Sequence, residues 1–394
     1  MKEYTYLIVG GGMTAAAAVE GIRTNDSKGT VGIVSEESHP PYKRPPLSKG
    51  LWLGKPFEKI WFNLDKHNVE IILNKKIVIV DPLTKTVHDN HGEVYSYEKL
   101  LLATGGTPRK LRLTNSQPDV IYYRTLTDYE KLRSLPEESR SIGIIGGGFI
   151  GSEIAAVLTR TGKDVTMIFP ENNIGANVFP EDIASYITQY FLSKGVRVIT
   201  GSLVKDIEAR EENLLVSTSN GETYVMDAVV AGLGLVPNIE LANAASLKVD
   251  NGIVVDDYLQ TSNPDIYAAG DVANFYCRQL GKHMRVEHED NALSMGKVAG
   301  QNMTGQKTAY THLPAFYSDM FDLGYEAVGE LSSKLLVKSV WKTPYEEGVV
   351  FFHDQNLIRG VLLWNVWGKL DLAREFIGEP VASLPSLEEK IISG

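Results

Sequence analysis

Glycine spacing carries the chemistry of this chain. Gly146, Gly148 and Gly151 stand at G-x-G-x-x-G spacing directly after the apolar run Ile142-Gly143-Ile144-Ile145. The same arrangement opens the sequence, where Gly10, Gly12 and Ala15 follow Tyr4 to Val9 and read G-x-G-x-x-A. A strand that runs into such a turn and then into a helix aims free backbone N–H groups at one spot, with the partial positive end of the helix behind them. The first glycine permits the tight turn, the second lets a phosphate approach the main chain, and the third lets the helix pack on the strand. Each turn leads into a helical pattern, a second strand pattern (Asp164 to Phe169; Thr30 to Val34) and then an acid about 20 residues on. Those acids, Glu171 and Glu36, are placed to accept hydrogen bonds from both hydroxyls of an adenosine ribose. Alone the glycine pattern is weak; strand, glycines, helix, strand and acid arriving in order make it strong. Two dinucleotide sites in one chain point to one bound flavin and one exchanging nicotinamide, because a hydride needs a donor and an acceptor held face to face.

Other stretches must frame those sites. Pro40 to Lys49 contains four prolines, which forbid a central strand and predict a stiff, extended loop before a short helix. Its cations, Arg44 and Lys49, would face an anionic cofactor. Residues 69–97 alternate in short β-like runs broken at Asn74-Lys75, Pro82 and Asn90-His91-Gly92, which predicts a small antiparallel insertion. Lys99 to Gly106 reads as a buried strand with a glycine exit. Asp227 to Asn238, which contains Gly234, repeats that ending, so the two halves are built alike. Strand-like runs at 196–199, 204–208 and 214–218 and a helix over 181–194 lie between. The stretch from Val254 to Asp271 returns to the first domain, and Ile266 to Ala269 within it is a strand ending at Gly270-Asp271, where ligands of doubly wound sheets bind. Asp271 there can accept from ribityl hydroxyls or cap a helix. The segment 284–291 introduces a helix to about Met303, whose N-terminus would aim partial positive charge at the flavin's carbonyl edge.

The fold class is therefore α/β: two doubly wound Rossmann-like nucleotide-binding domains plus a C-terminal α+β domain. Residues 1–112 and 241–306 form a discontinuous FAD-binding domain, 113–240 the NAD-binding domain, and 307–394 the last one, an antiparallel sheet with helices near 366–376 and 387–392. That domain carries Phe316, Tyr317, Phe321, Trp364 and Trp367, expected in its core or a dimer interface. A chain of 394 residues is long for one core. A formal net charge of −10 argues against non-specific nucleic-acid binding. No metal site is expected. No apolar run is long enough to span a bilayer, and the N-terminus enters a strand without a targeting pattern, which predicts a cytoplasmic protein. Cysteine occurs once, at Cys277, so dithiol chemistry is excluded and this thiol is expected to be a small buried hydrophobe.

The segments 41–49, 97–109, 146–153, 285–288, 323–329 and 360–365 together resemble the apoptosis-inducing factor branch of FAD-dependent pyridine-nucleotide oxidoreductases. They are similar, less closely, to the NADH-dependent ferredoxin and rubredoxin reductases. The resemblance implies FAD held by Gly10, Gly12, Glu36, Arg44, Lys49, Arg109 and Asp271, and NADH held by Gly146, Gly148, Phe149, Glu171, Glu287 and His288. It implies that Phe149 covers the flavin when nicotinamide is absent, and that Lys49 and Glu153 pair beside the flavin's reactive nitrogen. An ammonium there stabilises negative charge as hydride arrives, and a carboxylate in a dry site needs a cation partner. Lys49, Glu153, Phe149 and His288 are thus the candidate catalytic residues. The chain departs from the family at Tyr317, where tryptophan is common, at Glu289 and Asn291, where mammalian members have histidines, and in lacking their long C-terminal insertion. A death-related or DNA-binding role therefore does not carry over.

The expected function is oxidation of NADH by bound FAD and transfer of electrons to an acceptor: a small redox protein such as a ferredoxin or rubredoxin, a quinone or dioxygen. The alternative is a redox-sensing module with slow turnover, acting through a charge-transfer complex and a change of oligomer or partner. A homodimer through the C-terminal domain is implied by the resemblance.

Overall fold

The computed structural model describes residues 1–113 and 119–393. They divide into two compact units. One comprises Met1–Lys43, Glu58–Thr107 and Val236–Ala315; the other comprises Arg44–Phe57, Pro108–Leu235 and Phe316–Gly394.

The first unit is built on a sheet ordered Val69–Ile72, Val31–Val34, Lys2–Val9, Val94–Leu102. These neighbours run parallel. Leu7, Ile8 and Ile33 are fully buried, as suits strands covered on both faces. The strand Val94–Leu102 divides its partners on the far side. Its first half pairs antiparallel with Thr86–Asp89, through Val87 opposite Tyr95. Its second half pairs parallel with Ile266–Ala268, through Tyr267 opposite Leu101. Val69–Ile72, expected in an antiparallel insertion, instead extends the parallel sheet at its edge. A short strand forms at Ile253–Val254, and Asp256 then turns the chain by accepting the amide hydrogens of Tyr258 and Gln260.

The helices Met13–Asn25 and Glu289–Met303 lie across this sheet at backbone contact. A Cβ added at Gly300 would stand 2.1 Å from the carbonyl oxygen of Ala18, and one at Gly21 2.1 Å from that of Lys297. Only glycine allows that approach.

The hairpin at Asn90-His91-Gly92 is organised by Asp89. Its buried carboxylate accepts the amide hydrogens of His91 at 2.8 Å and Glu93 at 2.9 Å, the Tyr95 hydroxyl at 3.0 Å and the Lys75 ammonium at 3.3 Å. Burial would raise its pKa, but the donors from Glu93, His91, Tyr95 and Lys75 outweigh burial and hold it at about 2. Because the folded pKa is depressed, the stability this group contributes is complete above its ordinary value of about 3.9. It is lost as pH falls toward 2. Asp89→Asn should flatten the dependence of stability on pH between about 4 and 2, read from acid-unfolding curves by circular dichroism. Superimposable curves for the two proteins would rule this out.

The second unit holds a parallel sheet ordered Arg197–Ile199, Asp164–Ile168, Ser141–Ile145, Ala228–Ala231, Val120–Tyr122. A three-stranded antiparallel sheet over 204–226 packs Ile207, Leu214, Val216 and Met226 against Ile145, Ile168 and Val229. Helix Leu126–Arg133, absent from the sequence reading, begins with a capping box between Thr125 and Asp128. A five-stranded sheet, Ala315–Met320, Leu323–Gly329, Ile358–Trp364, Glu347–His353 and Leu336–Thr343 in spatial order, completes the unit with helices Leu370–Glu375 and Leu384–Ser393. Trp364 is fully buried there, whereas Tyr317 and Trp367 are exposed.

Candidate functional site

The two glycine turns adopt one geometry. Gly10 and Gly146 have φ of +113° and +112°. A Cβ at Gly10 would stand 2.2 Å from the Ala103 carbonyl oxygen, and one at Gly146 2.4 Å from that of Gly232. Each turn therefore rests on the exit of the strand that closes its own half. Gly151 does the packing expected of the third position, since its Cβ would lie 2.2 Å from the Gly146 oxygen. Gly12 and Gly148 differ from these. Both are extended helix N-caps without side-chain capping, and a Cβ at either would meet no atom within 4 Å. A cradle open at the N-terminus of a full-length helix suits a pyrophosphate.

In the first unit Ala15 is fully buried on the helix that the first turn starts. Gly270, at φ +79°, touches the same turn, because a Cβ there would lie 2.2 Å from Thr14 Oγ1. Asp271 follows it in a short 3-10 helix, and its carbonyl oxygen accepts from Arg285 Nη1 at 3.0 Å. Arg285 also pairs with Glu287 at 2.6 Å, and His288 is the N-cap of Glu289–Met303. Glu36 is exposed and pairs with Lys76 at 3.1 Å.

In the second unit Glu171 accepts from Asn177 Nδ2 at 3.0 Å, and the amide of Arg109 donates to the Gly234 carbonyl at 2.9 Å. Arg44 donates through Nη1 to the Arg124 carbonyl at 2.9 Å.

The proline-rich segment is built to present Lys49. Pro45 and Pro46 begin a 3-10 turn, Pro45–Ser48, and Lys49 is its C-cap. The Leu47 carbonyl accepts from Trp52 Nε1 at 2.8 Å and from the Tyr123 hydroxyl at 2.6 Å, which ties the turn to the end of the strand Val120–Tyr122. Burial pushes the Tyr123 phenol well up, so it remains a donor. Lys49 Nζ then lies 3.1 Å from Glu153 Oε1, with side chains 13% and 6% exposed. Glu153 stands in helix Phe149–Arg160, which the second glycine turn starts. Ser48 donates to Glu153 Oε2 at 2.5 Å and Ser318 to Oε1 at 2.7 Å. Lys49 also donates to the Tyr317 carbonyl at 3.4 Å, lies 3.9 Å from the Tyr317 ring centroid and 3.9 Å from Asp319 Oδ2. Phe149 at the helix start meets Phe316 with centroids 5.5 Å apart. Reasoning from sequence missed both serines. Ser48 adjoins a lysine of interest, but an isolated hydroxyl in an irregular turn or an edge strand carries no spacing signal.

Cys277 is buried, as expected. Among the described residues no cluster of His, Cys, Asp or Glu could hold a metal, and no helix is long and apolar enough to cross a membrane.

The comparisons with known proteins agree with this geometry. The model of the pyridine nucleotide-disulphide oxidoreductase family matches residues 4–296, and that of the mitochondrion-associated C-terminal part of apoptosis-inducing factor matches 299–344. The chain is 36% identical to apoptosis-inducing factor 1 of Dictyostelium discoideum, over 96% of this chain and 79% of that protein. It is 32% identical to rubredoxin-NAD(+) reductase of Pseudomonas putida, over 89% and 94%. A crystal structure of a ferredoxin reductase from Rhodopseudomonas palustris superposes with a TM-score of 0.87 at 31% identity, over 95% of this chain and 94% of that one. FAD and NADH are the cofactors, and the two glycine cradles fit them. The chain belongs to the pyridine nucleotide-disulphide oxidoreductases, in the FAD-dependent branch that contains apoptosis-inducing factors and the ferredoxin and rubredoxin reductases.

Proposed function

We propose that this protein oxidises NADH with bound FAD and passes the electrons to a small redox protein. The observation that carries the reading is the Lys49–Glu153 pair, fixed on the helix that the second glycine turn begins. Residues 1–112 and 241–306 would hold FAD and 113–240 would hold NADH, with 307–394 completing the surroundings of the pair. When bound, the flavin supplies the redox chemistry, taking hydride from the nicotinamide and releasing electrons to the acceptor.

The chain's own residues bind and orient. The turn at Gly146 and Gly148 and the amides of Phe149–Arg160 bind the NADH pyrophosphate. Gly10, Gly12 and the helix Met13–Asn25 do the same for FAD, with Ala15 keeping that helix close to the sheet. Glu36, Arg44, Arg109, Gly270 and Asp271 complete the flavin contacts, and Gly234, Glu287 and His288 serve the nicotinamide. Lys49 would hold its ammonium where negative charge gathers as hydride arrives, and Glu153 keeps that ammonium aimed. Phe149, set against Phe316, would cover the flavin when nicotinamide is absent.

The relatives named for rubredoxin and ferredoxin support the choice of acceptor. The likeness to apoptosis-inducing factor across the C-terminal region favours a second reading, slow reduction with a change of oligomer or partner as output. Anaerobic mixing with NADH, followed by reoxidation with a ferredoxin, a rubredoxin, a quinone or dioxygen, separates them. Sustained NADH consumption with an iron–sulfur protein is the expected result. A single reduction that stalls with every acceptor would replace the first reading by the second.

Cofactor preference follows from Glu171. Its carboxylate would accept from both ribose hydroxyls of NADH, whereas the phosphate of NADPH would meet a second anion. The segment 169–177 offers neither arginine nor lysine to hold that phosphate. A charge-assisted hydrogen bond contributes about 1.5–3 kcal/mol, so NADH should be preferred by about tenfold or more in kcat/KM. Glu171→Ala should erode the preference mainly by weakening NADH. Equal flavin reduction by the two cofactors in the unmodified protein would place the ribose elsewhere.

A further inference from the structure

We propose that Ser48 and Ser318 are positioning residues that hold the Glu153 carboxylate as an oriented anion for Lys49, so that a strand of the C-terminal sheet sets the charge at this site. The inference rests on the role given above to Lys49 and Glu153. Glu153 is almost wholly buried. Its Oε2 accepts the Ser48 hydroxyl at 2.5 Å, and its Oε1 accepts both the Ser318 hydroxyl at 2.7 Å and the Lys49 ammonium at 3.1 Å. Three donors thus converge on a group with about four acceptor positions. The two serines reach it from chain segments far apart in sequence, one bonded covalently to Lys49 and one in the strand Ala315–Met320.

The neighbours of Ser318 serve the same pair. Phe316 meets Phe149, the Tyr317 carbonyl and ring receive the ammonium, and Asp319 lies 3.9 Å from it. The charged and titratable groups facing the pair are Lys49 on the proline-rich turn, Asp319 on this strand and Tyr325 on Leu323–Gly329. Tyr325 has a phenol raised by burial and by the Glu153 charge.

A buried ion pair can discharge itself. An N–H bond of Lys49 breaks, an O–H bond forms on Glu153 Oε1, and two neutral groups remain. Hydroxyl donors stabilise the ionised carboxylate, so Ser48 and Ser318 oppose that transfer. They also keep Oε1 turned toward Nζ. Neither serine has to touch the reacting atoms to do this.

The test compares Ser318→Ala, Ser48→Ala, the double variant and Ser318→Thr with the unmodified FAD-loaded protein. Two measurements are made on each: single-turnover reduction by NADH across pH, and infrared spectra of the oxidised protein without NADH. Ser318→Ala should slow reduction about tenfold, the size of one charge-assisted hydrogen bond. Its pH profile should differ from that of the unmodified protein. A protonated-carboxyl band should appear that Glu153→Gln removes. Ser318→Thr, which keeps the hydroxyl, should restore rate, pH profile and spectrum. Ser48→Ala probes the other oxygen and reports independently if Ser318→Ala fails to fold. Unmodified rates, profile and spectrum in Ser48→Ala and in any folded Ser318→Ala would overturn the inference. If Lys49→Ala and Glu153→Gln were also unaffected, the proposed role of the pair would fall with it.

Discussion

Gly148→Val should leave a folded, yellow protein that NADH no longer reduces. Gly148 is an extended N-cap with φ −86° and ψ −170°, a conformation open to valine, and a Cβ there meets no atom within 4 Å. The fold therefore has little reason to object beyond the modest loss at a helix cap. The methyl groups of valine would instead fill the cradle and keep phosphate from the backbone amides. Losing two such charge-assisted hydrogen bonds costs about 3–6 kcal/mol, or at least about 10²-fold in NADH affinity. Gly12→Val is the companion. It should fold, yet come out colourless or lose FAD on dilution. Gly146→Val is the control, with φ +112° and a Cβ 2.4 Å from the Gly232 oxygen, and it should fail to fold. FAD per chain by absorbance, thermal melting and stopped-flow reduction distinguish the three. A yellow Gly12→Val paired with a colourless Gly148→Val would exchange the two nucleotide assignments.

Lys49→Ala should slow flavin reduction by about 10²-fold at saturating NADH, the range found when one preorganised donor is removed from a developing charge. The fold should survive, because Leu47, Trp52 and Tyr123 hold the proline-rich turn without help from the ammonium. Glu153→Ala should slow reduction by a similar factor for a different reason. It leaves the ammonium with only weaker partners, Asp319, 3.9 Å away and half exposed, and the Tyr317 carbonyl and ring, so the cation is no longer aimed. Breaking a fully buried pair costs about 3–5 kcal/mol. Lys49 is partly wet and keeps weaker partners, so about 2 kcal/mol of stability is the expected loss for Glu153→Ala. Single-turnover rates and melting curves for both variants decide the matter, and unchanged rates in both would reduce the pair to a structural role.

The parts of the site legible in the sequence are those where chemistry and backbone geometry depend on the same residue. Gly10 and Gly146 had to be glycines for the turn, and their spacing to Gly12, Gly148, Ala15 and Gly151 announced the ligand as well. The helix Glu289–Met303 and the strands of the last sheet were legible because apolar periodicity and burial coincide. Strand direction was not, since alternation in Val69–Ile72 is equally compatible with parallel and antiparallel partners, and only the register with Val31–Val34 decides. The strand Val120–Tyr122 was too short for its pattern to stand out. Ser48 and Ser318 were invisible because their meaning lies in a shared acceptor, Glu153, far from Ser318 along the chain.

The backbone contact between Gly21 and Lys297 bears on how the protein is made. The helix Met13–Asn25 leaves the ribosome almost first, while the helix packed against its Thr14, Ala17, Ala18, Gly21 and Ile22 leaves nearly 300 residues later. At about 5–20 residues per second, that apolar face waits some tens of seconds for its cover. The strand Ile266–Ala268, which completes the same sheet, arrives only slightly earlier. Vectorial synthesis thus cannot complete the first unit until the last quarter of the chain emerges.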